Sequence, residues 1–271
     1  MTYDLTEKSA TSGRPVDIFT FARGPQEWLY TSADRDVTVT AEVYESVAIL
    51  RPGISQGGEL NRAALKLTVA RDFPIATLFQ PGIPAETITL RIRQYHEGDG
   101  SVVVVWSGRV VNVARVGELA EIVCEPIYTS IRATGLRRRY QKTCPHVLYG
   151  SACGVNKNTL KLSTTVATVS GLNITATGLS AQPDGWWEGG YIEWEISTGV
   201  YERRFIMGHT GSSIELMTQP LGLAVSTAIS VYPGCDHTLG AGGCTKFSNT
   251  LNYGGFPDMP TKNPFGSDPI Y

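Results

Sequence analysis

Cys144-Pro145-His146-Val147-Leu148-Tyr149-Gly150-Ser151-Ala152-Cys153 and Cys235-Asp236-His237-Thr238-Leu239-Gly240-Ala241-Gly242-Gly243-Cys244 are two stretches of one design. Each has a cysteine at either end with eight residues between, and a histidine two residues after the first cysteine. Together they hold four of the five cysteines of a 271-residue chain, and residues 154–234 lie between them. We read them as one four-thiolate site. It closes when the intervening segment folds back on itself, so the chain carries a split module around an insert.

The insert reads as a small β-barrel or sandwich. Six short runs, 164–169, 173–176, 191–196, 201–207, 213–217 and 228–232, are rich in β-branched and aromatic residues and are punctuated by Gly, Ser and Asn. That is the pattern of strands joined by tight turns. Ser197-Thr198-Gly199 is a candidate hairpin turn. Ahead of the module, residues 16–21, 27–31, 37–44, 65–69, 87–95, 102–106, 108–113 and 119–124 also read as strands. The clearest is Thr87–Tyr95, which sets Ile88, Leu90 and Ile92 on one face and Thr89, Arg91 and Arg93 on the other. Val102–Trp106 reads as a strand buried on both faces. The expected fold is therefore mainly β. An antiparallel sandwich or barrel occupies residues 1–126, with residues 1–15 an arm. A split cysteine module follows at 127–157 and 233–252, with short helices over 127–140 and 245–251. The inserted β-domain covers 158–232, and residues 253–271 form a Pro- and Gly-rich arm, either disordered or extended along a neighbour.

Composition narrows the function classes. A hydrophobic fraction of 42% with 18% charged residues is that of a globular protein. Glycine, at 29 residues, exceeds the usual ~7% and favours many turns. The formal net charge of −2 opposes a dedicated nucleic-acid binder, although Arg137–Lys142 is a local basic run. The sequence has no apolar run of the roughly 18 residues that span a bilayer, and it opens without a signal pattern. Folding in a reducing cytoplasm is expected, where spaced cysteines read as metal or redox groups before disulfides.

Thiolates select zinc, Cu(I) or iron–sulfur clusters. A zinc knuckle takes ligands about 2–4 residues apart, so eight intervening residues suit a looser loop around a larger object such as a cubane cluster. On spacing alone a cluster, zinc, two disulfides and unconnected thiols all stay open. Arg137, Arg138, Arg139 and Lys142 could offset thiolate charge. Gly150, Gly154, Gly234, Gly240, Gly242 and Gly243 could bring backbone N–H groups to sulfur. His146 and His237 could replace a thiolate or support one. Cys124 alternates into a strand interior and reads as a core residue. A Cys144/His146 hydrolase pair lacks an orienting third group, and the chain contains no dinucleotide, phosphate-loop, serine-elbow or zinc-protease motif. No enzyme is expected.

Cys144-x8-Cys153, a long β insert, Pro233-Gly234-Cys235-Asp236-His237-Thr238, Cys244-Thr245-Lys246-Phe247-x-Asn249 and Asn252-Tyr253-Gly254-Gly255-Phe256-Pro257 resemble the carboxy-terminal cysteine module of phage tail-tip proteins. These are the minor tail protein L type of long-tailed phages and the related hub protein of gene transfer agents. The resemblance is good over about 130–260 and extends before that only to β-domain style. It implies a virion component at the distal end of the tail, assembled as a homotrimer. Its neighbours would be the distal tail ring, the central fibre or baseplate hub and the tape-measure protein, with DNA met only in transit. It also implies a [4Fe–4S] cluster held by Cys144, Cys153, Cys235 and Cys244, with zinc the alternative. The competing readings are a zinc-stapled structural or nucleic-acid-binding protein and an iron–sulfur electron carrier.

Overall fold

The computed structural model describes residues 3–9, 13–54, 64–97, 101–132, 135 and 139–260. The chain divides into two compact units. One is Met1–Ala133 with Ile196–Glu202; the other is Thr134–Glu195 with Arg203–Tyr271. None of the described helices is long and apolar enough to cross a membrane.

The first unit is built on one eight-stranded sheet. Its strands are β1 (Pro15–Arg23), β2 (Gln26–Thr31), β3 (Val37–Val39), β4 (Glu42–Ser46), β5 (Leu65–Ala70), β6 (Thr89–His96), β7 (Val102–Val116) and β8 (Leu119–Pro126), in the order β3-β4-β2-β1-β6-β7-β8-β5. Neighbours pair antiparallel except β2 and β4, which run parallel. Period-two alternation drives the layering. Leu90 and Ile92 of β6 face Phe19 and Phe21 of β1 and Leu65 and Leu67 of β5 in one core, while Thr89 and Arg91 are exposed. Cys124 is fully buried in that core opposite Leu65, and burial pushes its thiol up to about 12. Helix α2 (Pro74–Leu78) starts on a proline, which suits a first turn, and buries Ile75 and Ala76.

Several expectations change in this unit. Residues 37–44 are not one strand but a hairpin, β3–β4, turning at Thr40 and Ala41 with φ of 51° and 71°. Residues 102–113 are one long strand, and Val103 and Val104 stand exposed rather than buried on both faces. Of the helix expected over 127–140, the described residues show a 3₁₀ turn, Ile127–Arg132, while 133–134 and 136–138 lie outside the described residues. The Thr129 hydroxyl bonds back to the Pro126 carbonyl, Gly135 is a bend, and Arg139 and Tyr140 are irregular. The turn at 97–100 and Arg137–Arg138 fall outside the described residues, apart from Glu97. The amino-terminal arm contains a short helix, α1 (Tyr3–Glu7). Glu7 Oε2 lies 2.6 Å from Nε2 of the fully buried His96, whose Nδ1 accepts the Arg14 N–H. Another buried pair, Arg23 with Glu202 at 2.7 Å, is joined by the Ala85 N–H on the second Glu202 oxygen.

The second unit holds a closed six-stranded barrel. Its strands are β9 (Leu162–Ser170), β10 (Asn173–Ala176), β11 (Tyr191–Ser197), β12 (Val200–Thr210), β13 (Ser213–Leu216) and β14 (Ala228–Tyr232), ordered β10-β13-β12-β11-β14-β9. All six expected strands form, and Thr198-Gly199 makes the hairpin turn. Inward residues fill the barrel: Val166, Ile174, Ile192, Trp194, Ile206, Ile214 and Val231, joined by Trp187 from the β10–β11 connection. Closure leaves no free strand edge. A single-turn helix, α3 (Lys157–Leu160), enters the barrel, with the Asn156 side chain accepting from the Asn158 N–H.

Candidate functional site

Both cysteine segments belong to the second unit and flank the barrel in sequence, one ahead of β9 and one after β14. Where the chain leaves β14 it passes so close to the β10–β11 connection that no side chain fits. A Cβ on Gly234 would lie 2.0 Å from the Glu188 carbonyl oxygen. This contact delivers Cys235. Cys144, Cys153 and Cys244 are buried, Cys235 is half-buried, and none forms a disulfide.

Hydrogen bonds lace the two segments together. The Cys144 N–H donates to the His237 carbonyl at 2.8 Å, and the His237 Nδ1 returns to the Cys144 carbonyl at 3.0 Å. A carbonyl only accepts, so Nδ1 carries the proton. His237 sits at φ 60° and points its own N–H at Cys235 Sγ, 3.4 Å away. His146 likewise turns Nδ1 to a carbonyl, that of Asn252, at 3.1 Å. The two histidines therefore brace the loops through carbonyls.

Other donors face the remaining sulfurs. The Gly254 N–H reaches Cys144 Sγ at 3.4 Å. The Asn249 amide donates to the Cys153 carbonyl at 2.7 Å and lies 3.8 Å from Cys153 Sγ. The Tyr149 hydroxyl holds the Pro233 carbonyl at 2.5 Å, and its ring packs against Tyr191 and Tyr232. Burial pushes the Tyr149 phenol up, reinforced by Tyr191, Cys235 and Cys153.

The four thiols share one electrostatic neighbourhood. Burial pushes Cys235 up, the His237 N–H opposes this, and Asp236, Cys153 and Cys144 add to it. Burial also raises Cys244, with Cys144, Cys235 and Cys153 adding to the shift. Such thiols resist ionising together unless positive charge arrives, which a metal supplies. Among the described residues, no three or more His, Cys, Asp or Glu groups converge as a site for a single metal ion. The donors are of the type an iron–sulfur cluster takes: four unpaired thiols, three of them buried, with N–H groups directed at three of the sulfurs.

The structure differs from the expected supporting residues. Arg139 and Lys142 are exposed. Gly254, rather than the glycines singled out from sequence, brings its N–H to sulfur. The helix expected over 245–251 is two 3₁₀ turns, Cys244–Phe247 and Thr250–Asn252, interrupted by Ser248 at φ 51°. Thr245 caps neither, because its hydroxyl bonds the Leu239 carbonyl. The start of the expected arm, residues 253–256, packs on the module: the Phe256 ring lies tilted against Tyr140 with centroids 4.2 Å apart, and the Phe256 N–H donates to the Gln141 carbonyl. Lys246, Asn249, Tyr149 and Gly254 are the residues sequence reasoning missed. All four lay within stretches already singled out by resemblance, but no role was assigned to them there.

Comparison with known proteins gives matches to both parts of the chain. The family model described as baseplate hub protein, N-terminal attachment domain, matches residues 17–156. The model described as phage conserved hypothetical protein BR0599 matches residues 185–263. The first includes Cys144 and Cys153, the second Cys235 and Cys244. An uncharacterized protein of Xylella fastidiosa (strain 9a5c) is 24% identical over 163 residues, 56% of this chain and 34% of the relative. The chain thus spans about a third, 34%, of that curated relative's length. A chain from the virion of a native gene transfer agent particle has a TM-score of 0.80 at 17% identity, covering 99% of this chain and 96% of the other. At that identity the likeness is one of fold.

Proposed function

The chain belongs to the baseplate hub proteins whose N-terminal attachment domain matches residues 17–156, and we propose that it is a non-catalytic structural component of the tail tip of the virion. It links the distal tail ring to the central fibre or hub beside the tape-measure protein, acts as a homotrimer, and meets DNA only in transit. Its cysteine module is a staple. Cys144, Cys153, Cys235 and Cys244 hold a [4Fe–4S] cluster at the junction from which the barrel departs and to which it returns.

The observation that supports the staple is that the two cysteine segments on either side of the barrel are hydrogen-bonded to each other, with their four thiols unpaired and N–H donors aimed at sulfur. When bound, the cluster supplies four metal–thiolate bonds and couples its own loading to folding of the module. The chain's residues do the rest. His237 and Tyr149 hold the two segments in register. Burial excludes water from three of the four thiols.

Anaerobically purified full-length protein tests this reading. Brown protein with iron and acid-labile sulfide in equal amounts is expected, and colourless protein with stoichiometric zinc would refute the cluster. Substituting Cys235→Ser is expected to give insoluble protein or tails blocked early in assembly. Infectious tails assembled normally with that variant would rule out the staple.

A further inference from the structure

His96 holds the amino-terminal arm at two points. It is the last residue of β6 and is fully buried. Its Nδ1 accepts the Arg14 N–H at 3.0 Å, and Glu7 Oε2 of α1 lies 2.6 Å from its Nε2. A ring nitrogen that accepts an N–H carries no proton itself, so the imidazole is neutral with its hydrogen on Nε2, the nitrogen beside the carboxylate. The Tyr3 ring lies against it with centroids 4.9 Å apart, and the Tyr3 hydroxyl donates to the Gln94 side chain at 2.7 Å. Helix α1 and the segment entering β1 are thus fastened to β6 through the two nitrogens of one ring.

The two contacts respond to a proton in opposite ways. A second hydrogen goes to Nδ1, and an imidazolium offers only donors. Nδ1–H then meets the Arg14 N–H, donor against donor, where no water reaches. At Nε2 the same proton turns a neutral contact with Glu7 into an ion pair. The other charged groups around the ring are engaged or exposed. Asp17 of β1 is held by Arg51 at 2.7 and 2.9 Å and by Gln94 at 3.1 Å. Glu97 pairs with Arg35 and the Arg14 side chain, and Asp4 and Lys8 of the arm are exposed. Ser101 and Val102, where β7 begins, bring no charge.

Gly13 gives the imidazolium an acceptor. The peptide that carries the Arg14 N–H carries the Gly13 carbonyl on its other side. Turning that peptide over presents the carbonyl to Nδ1–H, and glycine tolerates the rotation. Gly13 also packs under the arm: a Cβ there would lie 3.1 Å from both the Thr6 and the Ser9 carbonyl oxygens.

We propose that His96 is a proton-operated clasp for the amino-terminal arm. Neutral, it fastens both α1 and the segment entering β1. Charged, it keeps Glu7 and lets go of Arg14. Acidification across the range in which an imidazole takes its proton, about pH 8 to about pH 5, loosens the approach to β1 and leaves α1 seated.

The test follows full-length protein by NMR over that range, reading the His96 Cε1–H and the Arg14 amide. In wild type the Arg14 amide is expected to move upfield and to begin exchanging with water, with the same midpoint as His96. Glu7→Gln changes a half-exposed side chain and removes the carboxylate that favours the charged ring. It is expected to move both midpoints together to lower pH by about one unit or more. His96→Asn keeps an oxygen near the Nδ1 position and cannot titrate, so its Arg14 amide is expected to stay constant across the range. Should His96→Asn fail to fold, Glu7→Gln alone decides. An Arg14 amide that ignores the His96 titration overturns the proposal. So does a wild-type His96 that stays neutral to about pH 5, or a Glu7→Gln midpoint equal to that of wild type.

Discussion

Gly255 carries the chain back across the first cysteine segment. A Cβ there would lie 2.5 Å from the Lys142 carbonyl oxygen and 2.8 Å from the Thr143 carbonyl. These are backbone atoms that cannot swing aside, unlike the end of a long side chain. The neighbouring Gly254 N–H is the one that meets Cys144 Sγ, and the Tyr253 hydroxyl bonds the Lys142 carbonyl. Gly255→Ala is therefore expected to lift this returning segment off Cys144. The cost is about 1–3 kcal/mol, as for overpacking elsewhere. Two measurements check it: a lower unfolding midpoint, and faster alkylation of Cys144 in folded, metal-free protein. Unchanged alkylation would mean the sheltering of Cys144 comes from elsewhere. The buried Cys124 serves as an internal standard, since burial holds its thiol protonated at neutral pH.

At the scale of elements, the β3–β4 hairpin stores strain. A two-residue turn that matches strand twist needs both central residues at positive φ, which Asn-Gly or Asp-Gly provide without penalty. This chain uses Thr40 and Ala41, and left-handed backbone costs roughly 1–2 kcal/mol for an ordinary residue. Thr40→Asn with Ala41→Gly is expected to stabilise the first unit by about 1 kcal/mol, after the entropy glycine adds to the unfolded chain. A denaturation midpoint below wild type would contradict it. The same turn explains a misreading. Val37 to Tyr44 alternates without a glycine or proline, so no residue type announces the reversal. In the barrel, by contrast, Gly171, Gly199 and Gly211 mark turns at positive φ, and all six strands were legible between such marks. The start of the helix expected over 127–140 is 3₁₀ for a related reason. Its apolar spacing is real, but Pro126 leads in with a carbonyl that Thr129 captures, which favours a short 3₁₀ turn.

For the whole molecule, matched cysteine spacing pointed to two distant segments that the structure places side by side. It did not reveal which groups line them. Backbone N–H donors and the carbonyls that orient His146 and His237 depend on loop conformations such as His237 at φ 60°, which residue identity does not encode. The energetics divide along the two units. Phe19, Leu67, Leu90 and Ile122 pack in one core, while Ile174, Trp194, Ile206 and Val231 pack in another. Cys144, Cys153, Cys235 and Cys244 all lie in the second unit. If a metal centre is coupled to folding there, full-length protein is expected to unfold in two calorimetric transitions. Removing the metal, or substituting Cys235→Ser in protein recovered folded, should cost several kcal/mol in the second unit and lower its transition by about 10 °C. The first transition should move little, because its hydrophobic core is separate from that of the unit carrying the cysteines. Near-ultraviolet signals assign the transitions, since Trp186, Trp187 and Trp194 lie in the second unit and Trp28 and Trp106 in the first. If both transitions fall together on metal removal, the centre stabilises the whole chain rather than the module that carries it.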